Sequence, residues 1–410
     1  MEGKRFIQKI KLTNFLSFGP EGMELELEPL NVLIGPNASG KSNFIEAFRV
    51  LAALPSDLSR PFREGGGVAE WVWKGEGGSS ELGLETAVVW PAPAVSLEHR
   101  LWLGVAEQRA VVEREEILGP GLDDFGRAIS SQRYRHIGAG LAEAAAVPVG
   151  ASRRGPFQPI GDTLRREWTP VRDLDTAQSV LAQRRDPQRF PEITYLGQQF
   201  GQIALYRDWR TGPRAGVKQP EMTDEPPDHL EEDGRNLFLV LNNLEQRLPA
   251  GTIADRARRL HQLAERMTFS IFGSTVLLYL HEEGLRSPVP ATRVSDGTLR
   301  YLSLLAILLH PDPPPLICIE EPELGLHPDV IRSVGELLIE ASQRTQLIVT
   351  THSDYLVSAL GDVPESVVVC ERDEGGTRMQ RLEPEKLGKW LKEYTLGDLW
   401  SMGELGGNRW

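Results

Sequence analysis

The sequence predicts an α/β fold with a mixed central sheet, an antiparallel β subdomain and a helical insertion. A short apolar strand, residues 30–34, is followed by a glycine-rich loop and then by an amphipathic helix over residues 43–53. After residue 315, apolar strands and helices alternate, which is typical of a parallel sheet covered on both faces. Because the parallel strands lie near the two ends of the chain, one α/β core contains a large insertion.

The composition excludes several classes of protein. Of the 410 residues, 40% are hydrophobic and 25% are charged, close to the average of globular proteins. The formal net charge of −13 argues against a protein that coats nucleic acid through bulk positive charge. Cys318 and Cys370 form neither a disulfide framework nor a zinc pattern. No apolar run is long enough for a membrane helix and no signal peptide is visible, so we expect a cytoplasmic protein without membrane contact.

The remaining elements follow from apolar periodicity and turn residues. Short strands between residues 68 and 118, beginning with Val68–Trp73, predict an antiparallel sheet. Residues 120–230 are rich in loops. Helices in the middle of the chain are predicted at 174–184, 195–200, 236–247 and 253–267. The C-terminal elements are predicted as strands at 276–280, 316–319, 347–350 and 367–370, and as helices at 298–309, 329–341 and 355–360.

The strongest motif is a phosphate-binding loop of the pattern G-x-x-x-x-G-K-[ST], which lies between a strand and a helix. Its residues are Gly35, Pro36, Asn37, Ala38, Ser39, Gly40, Lys41 and Ser42. The glycines let backbone N–H groups surround phosphate oxygens at the helix N-terminus. Lys41 is expected to contact the β- and γ-phosphates of ATP, and the Ser42 hydroxyl to bind Mg²⁺. The alternative is a glycine-rich turn that only caps a helix.

A second motif, LICIEEPE at residues 316–323, is an apolar strand that ends in acidic residues. This is a Walker B pattern, in which Glu320 would bind Mg²⁺ and Glu321 would act as the general base for the attacking water. A solvated strand end is the alternative for such a pattern alone. The presence of Lys41 in the same chain makes the catalytic interpretation specific.

Two further polar motifs follow the same logic. His352, in TTHS at the end of a buried strand, is expected in the ligand crevice, where it could contact the γ-phosphate; the alternative is a histidine in a surface turn. Ser295 begins a helix in the motif VSDGTLR, and it would make a good N-cap. The alternative for Ser295 is a second phosphate-binding helix terminus, which would serve the nucleotide of a partner subunit.

In this order, the motifs GPNASGKSN, SDGT, CIEEPE and TTHS resemble the ABC-type ATPases of the RecF/SMC kind. The resemblance is closest to the RecF-like group that includes the ATPase domains of overcoming-lysogenisation-defect (OLD) nucleases. It covers residues 1–55 and 290–372 well. It implies a P-loop NTPase fold of the ABC/RecF type and a homodimer that binds ATP between its subunits.

The resemblance also implies roles for individual residues. His352 would be the switch histidine, and Ser295 with Gly297 would form the signature that closes over the ATP of the partner. A glutamine would sense Mg²⁺ and the catalytic water, and Gln183 is the candidate, with Gln178 as the second choice. Residues before the phosphate-loop strand would lie near the base of ATP, and here they are Ser17 and Phe18.

The sequence departs from parts of this pattern. Asp296 stands where transporter ATPases usually have glycine, which would place a carboxylate near the partner's phosphate. The Walker B acid is glutamate, as in the OLD-like branch. No long heptad stretch separates the phosphate loop from the signature, so a coiled-coil SMC protein is not expected. The stretch after Cys370 is too short for the Toprim nuclease domain of OLD nucleases.

The predicted organisation has four segments. They are the N-terminal part of the ATPase lobe (1–120), an inserted loop-rich and helical lobe (121–285), the C-terminal part of the ATPase lobe (286–372) and a C-terminal tail (373–410). The tail contains Trp390, Trp400 and Trp410, and such large aromatic residues predict that it docks on its own lobe or forms part of an interface.

The leading functional prediction is a dimeric ATPase switch that acts on or near DNA, in phage defence or repair, with a separate nuclease or effector as partner. Arginine-containing stretches are the candidates for DNA contact, although a solvated surface is the alternative for each. They contain Arg133, Arg135, Arg153, Arg154, Arg165, Arg166, Arg207 and Arg210.

Two other classes of protein compete with this prediction. A transporter ATPase subunit is disfavoured by the EEPE motif and by the large insertion. A nucleotide-binding interaction module without turnover is disfavoured by the intact Lys41, Glu320 and Glu321.

Overall fold

The computed structural model describes residues 2–91, 96–122, 128–138, 141–146, 167–207, 209, 221–259 and 264–407. In this part of the chain, the strands belong to a six-stranded central sheet, an eight-stranded antiparallel sheet and a smaller four-stranded sheet. None of the described helices has both the length and the apolar character needed to cross a membrane.

The bounds of the elements are as follows. The strands are β1 (Ile7–Thr13), β2 (Met23–Glu26), β3 (Leu30–Ile34), β4 (Leu82–Val89), β5 (Ser96–Ala106), β6 (Arg109–Leu122), β7 (Ala128–Gly138), β8 (Leu141–Ala146), β9 (Glu167–Val171), β10 (Ala204–Tyr206), β11 (Glu221–Met222), β12 (Ala264–Phe272), β13 (Thr275–Glu282), β14 (Val289–Pro290), β15 (Leu316–Glu320), β16 (Gln346–Thr350), β17 (Val367–Asp373) and β18 (Gly376–Arg381). The helices are α1 (Lys41–Ala53), α2 (Ser59–Glu64), α3 (Val180–Gln183), α4 (Pro191–Phe200), α5 (Leu237–Arg247), α6 (Thr252–Ala257), α7 (Asp296–Leu308), α8 (Pro328–Ser342), α9 (Asp354–Ser358), α10 (Pro384–Leu387) and α11 (Leu396–Ser401).

The central sheet has the strand order β10-β15-β16-β3-β17-β18, and every neighbouring pair is parallel except β17 and β18. Successive residues face opposite sides of a strand, so this sheet separates two apolar cores. Leu33 and Cys318 belong to the core that contains α1, whereas Val32 and Ile319 belong to the core that contains α7 and α8. Both faces are covered, as the continuous apolar strands predicted.

The antiparallel sheet is larger than the sequence predicted. Its order is β2-β1-β4-β5-β6-β7-β8-β9, so it continues through the region expected to be loop-rich. The predicted domain boundary at 120/121 is therefore wrong, because it falls inside β6. The boundary at 372/373 is also wrong, because it falls inside β17, whose partner β18 completes the central sheet.

Tertiary pairing changes three predicted elements. The helix expected over 253–267 ends at Ala257, and Ala264–Phe272 instead forms a strand that pairs along β13. Val68–Trp73 forms a short 3₁₀ turn at Val68–Glu70 rather than a strand. The helix expected at 174–184 shrinks to Val180–Gln183. Hairpin pairing overrides the helical preference in the first case, and hydrogen bonds to distant parts of the chain, from Leu16 to Trp71 and from Val112 to Thr176, accompany the other two changes.

The C-terminal segment docks on the core. Trp400 is buried, and its indole N–H donates to the carbonyl oxygen of Gly407 at 3.1 Å. The Gly407 N–H donates to Glu371 Oε1 at 2.7 Å. A Cβ atom on Gly407 would lie 3.4 Å from Cα of Gly35, so this segment packs beside the phosphate loop. Trp390 is largely exposed, and Trp410 lies outside the described residues.

A buried carboxylate joins the antiparallel sheet to α3. Glu115 on β6 accepts hydrogen bonds from Ser179 Oγ at 2.6 Å and from the Val180 N–H at 2.9 Å. His99 Nε2 on β5 lies 2.9 Å from Glu115 Oε1. All of these side chains are buried, so each polar group depends on the others for a partner.

We therefore predict that Glu115→Ala lowers the free energy of unfolding by about 3–5 kcal/mol, because it leaves buried polar groups without their partner. Urea denaturation followed by circular dichroism measures the change. Glu113→Ala, at an exposed position of the same strand, should change stability by less than ~0.5 kcal/mol. Equal stability of Glu115→Ala and the wild type would show that the cluster does not support the fold.

Candidate functional site

The phosphate loop leaves the end of β3 in a conformation that requires glycine. Gly35 has a φ of 146° and Gly40 a φ of 101°. A Cβ atom on Gly35 would lie 2.2 Å from the Cys370 carbonyl oxygen, and one on Gly40 would lie 2.2 Å from Thr377 Oγ1. The backbone of the loop therefore packs directly against β17 and β18. Only glycine at these two positions leaves room for this close packing.

Lys41 lies over this loop. Its ammonium group donates to the carbonyl oxygens of Gly35 and Pro36, both at 2.9 Å, and only 6% of the residue is exposed. Burial lowers the pKa of Lys41, and the negative charge of Glu321 partly opposes this shift. The lysine is therefore held at the mouth of the loop, where a phosphate would compete for its donors.

The loop also offers groups that suit a phosphate. The N-terminus of α1 has no side-chain cap, so its first N–H groups remain available to an anion. Ser39 Oγ is buried and has no hydrogen-bond partner among the described residues. Buried polar atoms without partners are rare in folded proteins and are expected where a ligand binds. These residues fit the phosphate groups of ATP.

Ser17 and Phe18 pack beside the phosphate loop and α1. Thr377 Oγ1 lies 2.7 Å from Ser17 Oγ and 3.0 Å from the Ser39 carbonyl oxygen. Phe18 is completely buried and packs edge-on against Phe44 of α1, with 6.3 Å between ring centroids. The ring of Phe18 is thus covered by its neighbours, and the position of Ser17 and Phe18 near the base of ATP stays a prediction.

The two acidic residues of the Walker B motif lie beside the loop. Glu320 ends β15, and burial raises its pKa while the Arg207 guanidinium opposes that shift. Glu321 turns away from the strand with a φ of 45°, and its N–H donates to the Thr350 carbonyl oxygen at 3.0 Å. His352 Nε2 lies 3.8 Å from Glu321 Oε1. The predicted base and the predicted switch histidine are thus neighbours.

Glu323 holds this histidine turn, a role that the motif analysis missed. Its Oε1 accepts from Thr351 Oγ1 at 2.6 Å and from the His352 N–H at 3.0 Å. Burial raises the pKa of Glu323, and these hydrogen bonds oppose the shift. The signal in the sequence was the last glutamate of the EEPE motif, to which the motif analysis assigned no role.

Arg207 is a second residue that the sequence analysis did not assign to the site. Its guanidinium bonds Glu320 Oε1 through Nε at 3.2 Å and Glu46 Oε1 through Nη1 at 2.6 Å. Arg207 directly follows β10, and the pairing of β10 with β15 carries it to Glu320. No local motif indicates this pairing, so only the tertiary structure reveals the contact.

The signature segment has the predicted cap geometry. Ser295 is exposed, and its Oγ accepts from the Thr298 N–H at 3.1 Å. A Cβ atom on Gly297 would lie 2.7 Å from the Gly325 carbonyl oxygen, so glycine allows this helix end to approach the chain that follows the Walker B motif. Binding of a partner's phosphate by Ser295 and Gly297 stays a prediction.

The structure does not bring Gln183 to the phosphate loop. Its amide nitrogen donates to the carbonyl oxygens of Asp175 and Gln178, both at 3.0 Å, and its oxygen accepts from the Asp175 N–H at 2.8 Å. Gln178 Oε1 accepts from the N–H of Leu58, just beyond the C-terminus of α1. A helix of this length separates its two ends by about 20 Å. The assignments of Gln183 and Gln178 to Mg²⁺ and catalysis are corrected on that ground.

Ser42 and Glu320 are the residues that would hold Mg²⁺. Ser42 lies in the first turn of α1, where it is exposed, and Glu320 Oε2 accepts no hydrogen bond from the described residues. No group of three or more His, Cys, Asp or Glu residues suited to a metal occurs in the described part of the chain. Few protein ligands are expected, because Mg²⁺ in nucleotide sites keeps waters and binds substrate phosphates.

This geometry can be compared with known proteins. Residues 30–86 and 172–358 match the family described as "AAA domain, putative AbiEii toxin, Type IV TA system". The two segments together cover more than half of the chain. The chain belongs to this AAA family. A segment of 78 residues is also 40% identical to the Old nuclease of Escherichia phage P2; it covers 19% of this chain and 13% of that nuclease.

Solved structures show the fold of this AAA-family chain. An SMC head bound to the C-winged helix domain of ScpA has a TM-score of 0.54 at 15% identity and covers 93% of this chain and 99% of its own. An Smc head with an extended coiled coil, bound to the C-terminal domain of ScpA and derived from Pyrococcus furiosus, has a TM-score of 0.53 at 14% identity and covers 95% and 99%. The predicted resemblance to RecF/SMC-type ABC ATPases related to OLD, and the predicted fold, are confirmed.

We predict that Lys41→Ala weakens ATP binding by about 10- to 100-fold, because hydrogen bonds from a charged donor contribute ~1.5–3 kcal/mol. The fold should persist, since the lysine bonds only loop carbonyl groups. Titration calorimetry with ATP measures the affinity and circular dichroism the fold. Lys74→Ala, at an exposed lysine paired with Glu70, is the control. Undiminished affinity in Lys41→Ala would refute the phosphate-loop assignment.

Proposed function

We propose that this protein is a dimeric, ATP-hydrolysing switch, in which two chains enclose two ATP molecules. The observation that carries the proposal is that Lys41, Glu320 and His352 all lie at the C-terminal end of the parallel strands of the central sheet. They come from three segments of the chain: Lys41 follows β3, Glu320 is the last residue of β15 and His352 follows β16, and these strands pair in parallel. Ligands of open α/β sheets bind outside the carboxyl ends of such strands.

In this proposal, Glu321 accepts a proton from the water whose oxygen attacks the γ-phosphorus. The bond from that phosphorus to the β–γ bridging oxygen breaks, and ADP and phosphate leave. Lys41 offsets the negative charge of the phosphates, and His352 donates a hydrogen bond to the γ-phosphate. Mg²⁺ bound by Ser42 and Glu320 would neutralise charge on the β- and γ-phosphate oxygens.

The exposure of the site supports a shared arrangement. The side chains of Glu321 and His352 are 42% and 34% exposed, and water would have free access to both in a single chain. Leu324 and Tyr355, which lie close to them in sequence, are largely exposed apolar residues. A second chain that covers this edge would bury those residues and exclude bulk water from the reaction.

We further propose that the switch acts in DNA transactions, in phage defence or repair, together with a nuclease or other effector. The partial similarity to a phage nuclease supports this role. Of the arginines predicted to contact DNA, Arg133 lies 3.7 Å from Glu192, Arg135 bonds Glu143 and Arg207 bonds Glu320. The other arginines of the predicted set lie outside the described residues.

We predict that Glu321→Gln slows hydrolysis by about 10²- to 10⁴-fold, because it removes the general base, and that it accumulates an ATP-bound dimer. Size-exclusion chromatography with light scattering, with ATP and Mg²⁺, detects the dimer. Glu374→Gln makes the same chemical change in an exposed turn and should behave as the wild type. Wild-type turnover in Glu321→Gln would exclude the catalytic role, and failure of the trapped dimer to bind duplex DNA would contradict the DNA role.

We predict that Ser295→Arg still binds ATP but neither dimerises nor hydrolyses it, because the added side chain fills the space that the partner's phosphate needs. Ser295→Ala is the matched control: it loses the same cap, at about 1 kcal/mol, without filling that space. Mixing Ser295→Arg with Lys41→Ala should restore at most one composite site per heterodimer. Normal turnover by Ser295→Arg alone would reduce Ser295 to a helix cap and contradict the shared site.

A further inference from the structure

The residues that follow β10 connect the Walker B strand to α1. β10 is the edge strand beside β15, in parallel register, so its C-terminal end lies next to Glu320. Arg207 there bonds Glu320 Oε1 at 3.2 Å and Glu46 Oε1 at 2.6 Å. The Trp209 indole N–H donates to the backbone carbonyl oxygen of Glu320 at 2.7 Å. Glu320 is thus held at its side chain by one residue and at its backbone by another.

The same turn also contacts the signature helix. Arg300 of α7 donates to the Trp209 carbonyl oxygen at 3.2 Å, and its guanidinium carbon lies 5.1 Å from the centre of the Trp209 ring. Arg300 also donates to the carbonyl oxygen of Leu324, beyond the Walker B motif. Trp209 therefore lies between the end of β15 and the helix that begins at Ser295.

The chemistry of these contacts suits a role in orienting a metal ligand. Arg207 binds Oε1 of Glu320, and Oε2 remains available to a cation. A planar guanidinium fixes a carboxylate in direction more firmly than an ammonium group can. It also keeps the neighbouring carboxylates of Glu46 and Glu320 from repelling one another. Groups that hold a metal ligand in this way usually affect metal affinity by 10- to 100-fold.

We propose that Arg207 is a positioning residue for the cation that accompanies ATP, and that Trp209 connects this position to the signature helix. The inference rests on the proposed function, since it concerns the same nucleotide site. Arg207 orients the Glu320 carboxylate and does not itself bind phosphate. Because Arg300 contacts Trp209, movement of the signature helix is transmitted to the end of β15.

The test measures binding instead of turnover. ATP affinity is determined by titration calorimetry, first in EDTA and then at increasing Mg²⁺, for the wild type and four variants. In EDTA all should bind ATP with similar affinity. The Mg²⁺ concentration for half-maximal enhancement should rise about tenfold in Arg207→Ala, and less in Arg207→Lys and Trp209→Phe. Trp209→Phe removes the indole N–H and keeps a smaller aromatic ring at the position that Arg300 contacts.

Arg49→Ala is the matched control. Arg49 also pairs with Glu46, through Nη1 at 3.4 Å, but its other pairing is with Glu64 and it does not touch Glu320. It should leave the Mg²⁺ dependence unchanged. Arg207→Lys and Trp209→Phe keep the test decisive if Arg207→Ala fails to fold, which circular dichroism would reveal.

The outcomes separate this inference from the proposed function. An unchanged Mg²⁺ dependence in Arg207→Ala, with normal ATP binding by the wild type, overturns the inference alone. Weaker binding of ATP in EDTA would make Arg207 a phosphate ligand and also overturn it. A lower Mg²⁺ requirement would mean that the guanidinium competes with the cation, which contradicts a positioning role. If the wild type binds no ATP, the proposed function and this inference both fall.

Discussion

The parallel register of the central sheet is the constraint on which the site depends. Glu320 of β15 pairs with Thr350 of β16, and Thr350 pairs with Leu33 of β3. These paired residues lie at the C-terminal ends of the three strands. The turn at Glu321, the turn at residues 351–352 and the phosphate loop follow them and therefore lie side by side. A shift of one residue in either pair would turn every side chain to the opposite face and exchange the two apolar cores. The burial of both faces therefore determines where the functional groups meet.

Around these paired residues, backbone contacts matter as much as side chains. Gly35 lies so close to the Cys370 carbonyl oxygen that any side chain would clash, and Gly407 of the docked C-terminal segment packs against its Cα atom. Thr377 joins Ser17 to the Ser39 carbonyl oxygen below the loop. The phosphate loop is held by the last strands of the chain, so the C-terminal segment is part of the architecture of the site.

The acidic residues of the site fall into two groups with different surroundings. Glu320 and Glu323 are buried enough for their pKa values to be raised, and each is offset by a specific partner, Arg207 or the histidine turn. The side chain of Glu321 is considerably more exposed, and its Oε1 lies 3.8 Å from His352 Nε2. The two less exposed acids have fixed protein partners, whereas Glu321 remains accessible to a substrate water. This division agrees with the roles proposed for them.

Elements with local signals could be predicted from the amino-acid sequence alone. The phosphate loop, the Walker B strand and the cap at Ser295 depend on spacing and on the apolar runs next to them, and the structure contains them at the predicted positions. Only the tertiary structure decided the rest. The strand at Ala264–Phe272 exists because β13 pairs with it, Gln183 bonds backbone groups of residues 175 and 178, and Arg207 meets Glu320 through the pairing of β10 with β15. The contact of Arg207 with Glu320 joins residues far apart in the chain. The energies of all three contacts come from pairing and burial, which a local pattern of residues does not encode.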